Sequence, residues 1–179
     1  DVVFNHVYNY EFSVFEKIVP NYYFRKNRNG TLCNGSGCGN DLATERPMVR
    51  KLIIDSLKYW MKEYGIDGFR FDLMGLIDID TMNKVSKVCK EIKKDAMIYG
   101  EGWDMNTNLP QDKKTSILNS FKTKDIAYFN DTFRDVIRGN NDLNYSYGGY
   151  LLGDVSYKEG FKFVYMGSCV NYLYAPRFL

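Results

Sequence analysis

The sequence Ile66-Asp67-Gly68-Phe69-Arg70-Phe71-Asp72 gives the first indication of the fold. It predicts a β-strand that ends in a carboxylate. Residues two apart in a strand share a face, so Arg70 and Asp72 should point to one side of the sheet and Phe69 and Phe71 to the other. Helical patterns stand on both sides of this strand, and the sequence therefore predicts an alternation of helices and strands.

The predicted helix before this strand begins near Thr44, a plausible N-cap, and Pro47 suits one of its first positions. Apolar residues then recur at three- and four-residue intervals as far as Tyr64. Gly65 follows as the residue that ends the helix. The apolar positions are Met48, Leu52, Ile53, Leu57, Trp60 and Met61.

Strands and helices continue to alternate along the chain, which predicts a parallel sheet with right-handed crossovers. The other predicted strands cover residues 1–6, 96–101 and 126–130. The other predicted helices cover residues 80–94, 113–121, where the pattern is weaker, and 132–137.

Polar residues end each predicted strand and indicate the kind of sheet. No glycine-rich phosphate loop follows any of these strands, as a doubly wound nucleotide-binding sheet would require. Charged residues at the C-terminal ends of successive parallel strands are typical of the active face of a (β/α)₈ barrel. We therefore expect the fold class α/β, with a partial (β/α)8 TIM barrel of four strands. The strand-end residues are Asn5, His6, Asp72, Glu101, Asn130 and Asp131.

A long segment, residues 7–42, separates the first strand from the first helix. Its centre, Asn34-Gly35-Ser36-Gly37-Cys38-Gly39-Asn40-Asp41, has strong turn chemistry. Loops of this length are usually functional or disordered, and the many aromatic residues here favour order. Cys33 and Cys38 could pair across the turn, whereas Cys89 looks like a buried free thiol on a helix.

Composition and charge exclude several classes of function. With 179 residues, of which 45% are apolar, the chain can bury the core of one domain. The net charge of +2 gives nucleic-acid binding no support, and no apolar run is long enough to span a bilayer. A single His and the cysteine spacing match no zinc motif, so we expect no metal site. The aromatic content of 16% suits sugar binding, but such residues more often fill cores.

Asp72 and Glu101 are the candidate catalytic pair. Arg70 beside Asp72 favours the ionised carboxylate that a nucleophile needs, although such a pair can also be structural. Glu101 lies between two glycines next to Trp103. An apolar, aromatic setting suits a proton donor, although a surface Glu in a strand-end turn is the alternative. Two carboxylates in opposite settings at the ends of adjacent strands indicate a glycosidase.

Three short motifs resemble, in their order and spacing, the conserved regions of the α-amylase superfamily. They are Asp1-Val2-Val3-Phe4-Asn5-His6, Gly68-Phe69-Arg70-Phe71-Asp72 and Tyr99-Gly100-Glu101-Gly102-Trp103. The glycine-rich turn leading into Glu45-Arg46-Pro47-Met48-Val49 and the stretch Asp72-Leu73-Met74-Gly75-Leu76 resemble the type I pullulanases of that superfamily. Phe129-Asn130-Asp131 followed by Arg134-Asp135 fits the same group, and the resemblance covers about residues 1–139.

This resemblance implies a retaining glycoside hydrolase that cleaves α-1,6 branch links in pullulan, glycogen or starch without a cofactor. Asp72 is then the nucleophile, Glu101 is the general acid/base and Arg70 holds Asp72 ionised, with Asp1 as a structural support. Retention of configuration implies carboxyl groups about 5–5.5 Å apart. The only partner inferred is the α-glucan, with no nucleic acid, membrane or obligate protein partner. Residues implied to contact substrate are Asn5, His6, Trp103, Asn130 and Asp131.

The sequence also departs from the family. The family has a third catalytic Asp, preceded by His, in a later Asn-Tyr-Val-x-x-His-Asp motif. Here Val170-Asn171-Tyr172 is present but no His-Asp pair follows it, and residues 140–179 match the family less well. The chain also starts without Met, inside an apparent strand. We expect residues 1–179 to be a partial catalytic domain, truncated at both ends and inactive by itself.

Two other functions and the location stay open at this point. One alternative is a branching enzyme or another transferase or isomerase of the same superfamily, which would share Asp72 and Glu101. The other is a sugar-binding remnant without activity. The location is cytoplasmic or secreted, with the cysteine pattern leaning to a reducing compartment.

Overall fold

Helices and strands alternate through residues 47–100, as the sequence predicts. The computed structural model describes residues 1–139, 141–142, 145–146 and 148–166, and the chain divides into two units, Asp1–Phe129 and Asn130–Leu179. The first unit contains β1 (His6–Val7), α1 (Val14–Ile18), β2 (Asn40–Asp41), α2 (Pro47–Tyr64), β3 (Gly68–Phe71), α3 (Ile79–Ile92), β4 (Met97–Gly100) and β5 (Ala127–Tyr128). The second contains α4 (Asp131–Arg138), β6 (Asn141–Asp142), β7 (Tyr145–Ser146) and α5 (Lys158–Tyr165).

A parallel sheet in the order β3-β4-β5 forms the centre of the first unit. Beside β3, Val2 makes an isolated parallel bridge to Phe71. The strand predicted for residues 1–6 is thus reduced to one bridge. The reason is that the chain turns away: Leu42 donates its N–H to the Asn5 carbonyl, and β1 pairs antiparallel with β2.

Helix α2 buries one stripe of residues spaced four apart, which places them on the same face. It begins at Pro47 and ends at Gly65, whose φ of 66° is the left-handed conformation that suits glycine. The prediction of Thr44 as N-cap is wrong, because Arg46 holds that position and the Thr44 hydroxyl accepts from the Asp78 N–H. The buried stripe is Val49, Ile53, Leu57 and Met61.

The core of the first unit lies between this sheet and its helices. Helix α2 contacts α3, and the buried Phe69, Phe71 and Ile98 of β3 and β4 belong to the same apolar cluster. Cys89 of α3 is fully buried in it as a free thiol, and burial raises its pKa to about 11.

The long segment of residues 7–42 is ordered, as its aromatic content predicts. Phe24 is fully buried and packs edge to face with Tyr10, at 5.0 Å between ring centroids. Cys33 is buried and donates to the Asn27 side-chain oxygen, whereas Cys38 is exposed. Both are free thiols, so the pairing that the sequence left open is not formed.

The crossover from β4 to β5 contains 3₁₀ turns over Gln111–Lys113 and Ile117–Lys122. The α-helix predicted for residues 113–121 is wrong. Lys114, between the two turns, forms an isolated antiparallel β-bridge with Asp78. The Thr115 N–H donates to the Ile77 carbonyl. These tertiary hydrogen bonds hold residues 114–116 extended and prevent a continuous helix.

In the second unit, α4 confirms the helix predicted for residues 132–137. Its N-cap is Asn130, whose side chain accepts from the Phe133 N–H at 2.9 Å. Helix α4 packs on α5, and the unit buries Val136 and Val164. Among the described residues, none of the helices has the length and apolar character needed to cross a membrane.

Candidate active site

Strand β3 places two of the predicted catalytic residues on one face of the sheet. Its residues alternate in burial, so that Phe69 and Phe71 lie in the core while Arg70 stays partly exposed. Asp72 follows directly after the strand on the same face as Arg70. The facing that the sequence predicts from the two-residue period is confirmed.

The guanidinium of Arg70 joins the two candidate catalytic carboxylates. Its Nη1 lies 3.0 Å from Asp72 Oδ1, and its Nη2 lies 2.6 Å from Glu101 Oε1. Nη1 also binds the Asp1 carboxylate at 3.0 Å, and the guanidinium carbon lies 5.8 Å from the centre of the Phe129 ring. The guanidinium of Arg70 therefore pairs with three carboxylates at the C-terminal edge of the sheet.

Asn5 fixes the other side of Asp72. Asn5 is fully buried, and its amide nitrogen donates to the Asp72 carbonyl at 2.7 Å and to Asp72 Oδ2 at 3.0 Å. Arg70 holds Oδ1, so each oxygen of the carboxylate has a donor of its own. The His6 ring contacts the Asn5 side-chain oxygen through Nδ1. These contacts set the plane of the Asp72 carboxylate.

Glu101 follows β4 and is held by residues of the β3 end. Its Oε2 accepts from the Leu73 N–H at 3.0 Å, and its Oε1 lies on Arg70. The apolar, aromatic setting expected for Glu101 is therefore wrong: charge-assisted hydrogen bonds surround a side chain that is 16% exposed. The sequence misses the Leu73 contact because a backbone N–H gives no signal in side-chain identity.

The segment after Glu101 lies close against the turn that follows β3. A Cβ at Gly75 would stand 1.8 Å from the Trp103 carbonyl oxygen, so only glycine allows this approach. The Gly75 N–H also donates to the Glu101 carbonyl at 3.1 Å. The backbone of residues 101–103 is thus fixed, and the Trp103 side chain remains 40% exposed beside the site.

Asp104 ties this segment to the crossover. Its carboxylate lies 3.0 Å from the buried Lys114 ammonium and accepts from Gln111 at 2.7 Å. Partial burial raises the pKa of the carboxyl, but the hydrogen bonds from Gln111 and Lys114 and the Lys114 charge outweigh burial. The pKa of Asp104 therefore lies below its usual range.

The structure brings five of the predicted site residues into one network and fixes a sixth, Trp103, on the adjoining segment. Asn130 and Asp131 belong to the second unit, where they begin α4 and Asp131 pairs with Arg134 at 3.1 Å. Within the described ranges, no group of three or more His, Cys, Asp or Glu side chains is arranged to hold a metal ion. The five residues of the network are Asn5, His6, Arg70, Asp72 and Glu101.

Comparison with known proteins gives the class to which this fold and site belong. The family model for the alpha-amylase catalytic domain matches residues 35–136, and the chain belongs to that family. Its relatives include the pullulanase of Bacillus subtilis (strain 168), with 47% identity over 154 residues, and the chloroplastic pullulanase 1 of Arabidopsis thaliana, with 36% identity over 159 residues.

The alignments cover most of this chain but only a small part of each relative. The alignment covers 86% of this chain but 21% of the Bacillus protein, and 81% of this chain but 16% of the Arabidopsis protein. A crystal structure of pullulanase complexed with maltotriose from Anoxybacillus sp. LM18-11 superposes with a TM-score of 0.91 at 57% identity. That match covers 94% of this chain and 24% of the solved one. The chain thus spans between about a sixth and a quarter of the length of these relatives.

Proposed function

We propose that this chain is part of a retaining glycoside hydrolase that cleaves α-1,6 links in pullulan, glycogen or starch. The observation that carries the proposal is the guanidinium of Arg70, which binds Asp72 and Glu101 at the ends of adjacent parallel strands. The pullulanase names of the relatives support the substrate class, as does the maltotriose in the Anoxybacillus complex. The activity is proposed for a full-length enzyme of the size of those relatives.

Within that enzyme, the bridge at Val2 and the strands β3, β4 and β5 would form about strands 3 to 6 of a (β/α)₈ barrel. The parallel order and the catalytic residues at the C-terminal strand ends support this assignment, because barrel enzymes build their sites at that face. The second unit, which begins at Asn130, would continue the same catalytic domain.

The proposed reaction proceeds in two steps. In the first, an oxygen of Asp72 forms a bond to the anomeric carbon, the glycosidic C–O bond breaks, and Glu101 gives its proton to the leaving oxygen. In the second, Glu101 takes a proton from water, the water oxygen bonds to the anomeric carbon, and the bond to Asp72 breaks. Arg70 and Asn5 stabilise Asp72 as a carboxylate anion, which is the form that can attack the anomeric carbon.

The remaining predicted site residues would contact the sugar. The half-exposed indole of Trp103 offers a flat face for a pyranose ring, and His6 lies beside the Asn5–Asp72 pair. Asn130 and Asp131 stay proposals of the sequence resemblance. The third catalytic Asp of the family has no counterpart in this sequence, so the 179-residue chain alone is expected to release no sugar from pullulan.

The experiment is a chimera in which the 154 matched residues of the Bacillus subtilis pullulanase are replaced by those of this chain. We expect the chimera to release reducing ends from pullulan and to give maltotriose as the product. Products that keep the reducing-end count constant while new branches form would instead identify a branching transferase. A soluble chimera that binds maltotriose but forms no product would identify a binding remnant.

A further inference from the structure

The turn after the proposed nucleophile has a backbone conformation that its residue type does not favour. Leu73 has φ 39° and ψ 49°, in the left-handed region. Among the described residues, the other non-glycine residues with positive φ are Asn21 and Asp125, whose short polar side chains tolerate it. Leucine has no such compensation, so the surrounding structure must impose this conformation.

The neighbours of Leu73 hold the turn in place. Met74 and Leu76 are fully buried, and the Leu73 carbonyl accepts from the Leu76 N–H at 2.9 Å. Gly75 packs against the Trp103 carbonyl and donates to the Glu101 carbonyl. These contacts tie the end of β3 to the segment that carries Glu101.

The left-handed conformation of Leu73 relates one N–H group to the turn that follows it. The Leu73 N–H donates to Glu101 Oε2 at 3.0 Å, while Arg70 holds Oε1 at 2.6 Å. Both oxygens of Glu101 are therefore held by the β3 end, on either side of Asp72 in sequence. With this conformation the Leu73 N–H reaches Glu101 while the Leu73 carbonyl accepts from Leu76.

We propose that Leu73 is a positioning residue, whose left-handed backbone keeps its N–H on Glu101 while the chain enters the following turn, and so fixes this carboxyl group relative to Asp72. The inference rests on the function proposed for Glu101. The strained backbone at Leu73 then serves the candidate active site. The backbone conformation at this position therefore matters more than the identity of the side chain.

Two substitutions of similar size separate conformation from side-chain loss. Leu73→Asn keeps a residue that tolerates the left-handed region, whereas Leu73→Val introduces a β-branched residue that does not. The measurement is hydrogen exchange of the residue-73 amide in this chain, followed by ¹⁵N NMR, with Glu101→Gln as the reference for loss of the carboxylate acceptor. We expect exchange to be about tenfold faster in the Val variant, because the N–H loses its hydrogen bond, and unchanged in the Asn variant.

Equal exchange rates in the Asn and Val variants would overturn the proposal. If the Val variant does not fold, Leu73→Ala takes its place, because alanine also disfavours the left-handed region, and equal rates in the Asn and Ala variants would also overturn it.

A second readout separates this proposal from the proposed function. In the chimera, Leu73→Val should lower kcat on pullulan by about tenfold and have little effect on the formation of the glycosyl intermediate from α-maltosyl fluoride, whose fluoride leaves without a proton. Faster amide exchange with unchanged kcat would support the positioning by Leu73 and contradict the acid/base role of Glu101. Unchanged amide exchange with lost activity in Glu101→Gln would support the role of Glu101 and contradict the positioning by Leu73.

Discussion

At the scale of single residues, the choice of Arg at position 70 is explained by geometry. The planar guanidinium presents Nη1 to Asp1 and Asp72 and Nη2 to Glu101. A lysine ammonium is a single point charge and does not offer two such edges. The pairing of Arg70 with Asp72 was predictable from the strand period, but its contact with Glu101 was not, because it joins residues from two strands.

Asp104 provides a pH prediction at this scale. Its pKa is lowered in the folded chain, so the carboxylate contributes stability above its unfolded pKa of about 3.9 and loses it as pH falls through the lower folded value. Asp104→Asn should be less stable than the parent chain at neutral pH, because it leaves the buried Lys114 without its partner charge. The difference should shrink from about pH 5 downward.

Thermal unfolding as a function of pH measures this difference in Tm. The control is Asp112→Asn: Asp112 is exposed, and its side chain has no hydrogen bond or ion pair in the described part of the chain. It should leave the pH profile of Tm unchanged. A constant gap between the parent chain and Asp104→Asn from pH 7 to about pH 3 would contradict the linkage.

At the scale of elements, the sequence predicts those helices and strands that are determined by local residue patterns. Helix α2 and strand β3 follow from apolar periodicity, and Gly65 marks the end of the helix. The helix predicted over residues 113–121 fails because hydrogen bonds to Ile77 and Asp78, distant in sequence, hold that segment extended. Thr44 fails as a cap for the same reason, since its hydroxyl binds the Asp78 N–H instead.

A pair of substitutions in α2 tests which face of the helix carries its stability. Ile53 is fully buried, and Ile53→Ala should lower the free energy of unfolding by about 2–5 kcal/mol through lost burial and a cavity. Met48 on the same helix is 49% exposed, and Met48→Ala should change it by about 0.5 kcal/mol or less. Denaturant unfolding followed by circular dichroism compares them, and equal losses would mean that the buried stripe is assigned to the wrong face.

At the scale of the molecule, the parallel sheet explains how distant residues meet. Asn5, Asp72 and Glu101 are far apart in sequence, and each follows a strand or bridge at the same sheet edge. The alternation of elements therefore predicted that these three residues lie at one edge of the sheet. The polar setting of Glu101 could not be predicted, because it depends on the backbone turn at Leu73, which no residue pattern announces. The stretch Val170-Asn171-Tyr172, which the sequence comparison with the family used, lies outside the described residues.

Two substitutions in the chimera test whether Asp72 is the nucleophile and Glu101 the acid/base of an α-glucan hydrolase. Initial rates are measured on pullulan and on α-maltosyl fluoride. Asp72→Asn should lower both rates by about 100-fold or more, because no covalent intermediate forms. Glu101→Gln should lower the pullulan rate by about 100-fold or more while the chimera still forms the glycosyl intermediate from the fluoride, which needs no proton donor. A Glu101→Gln chimera that hydrolyses pullulan at the parent rate, or an Asp72→Asn chimera that does so, would contradict the account.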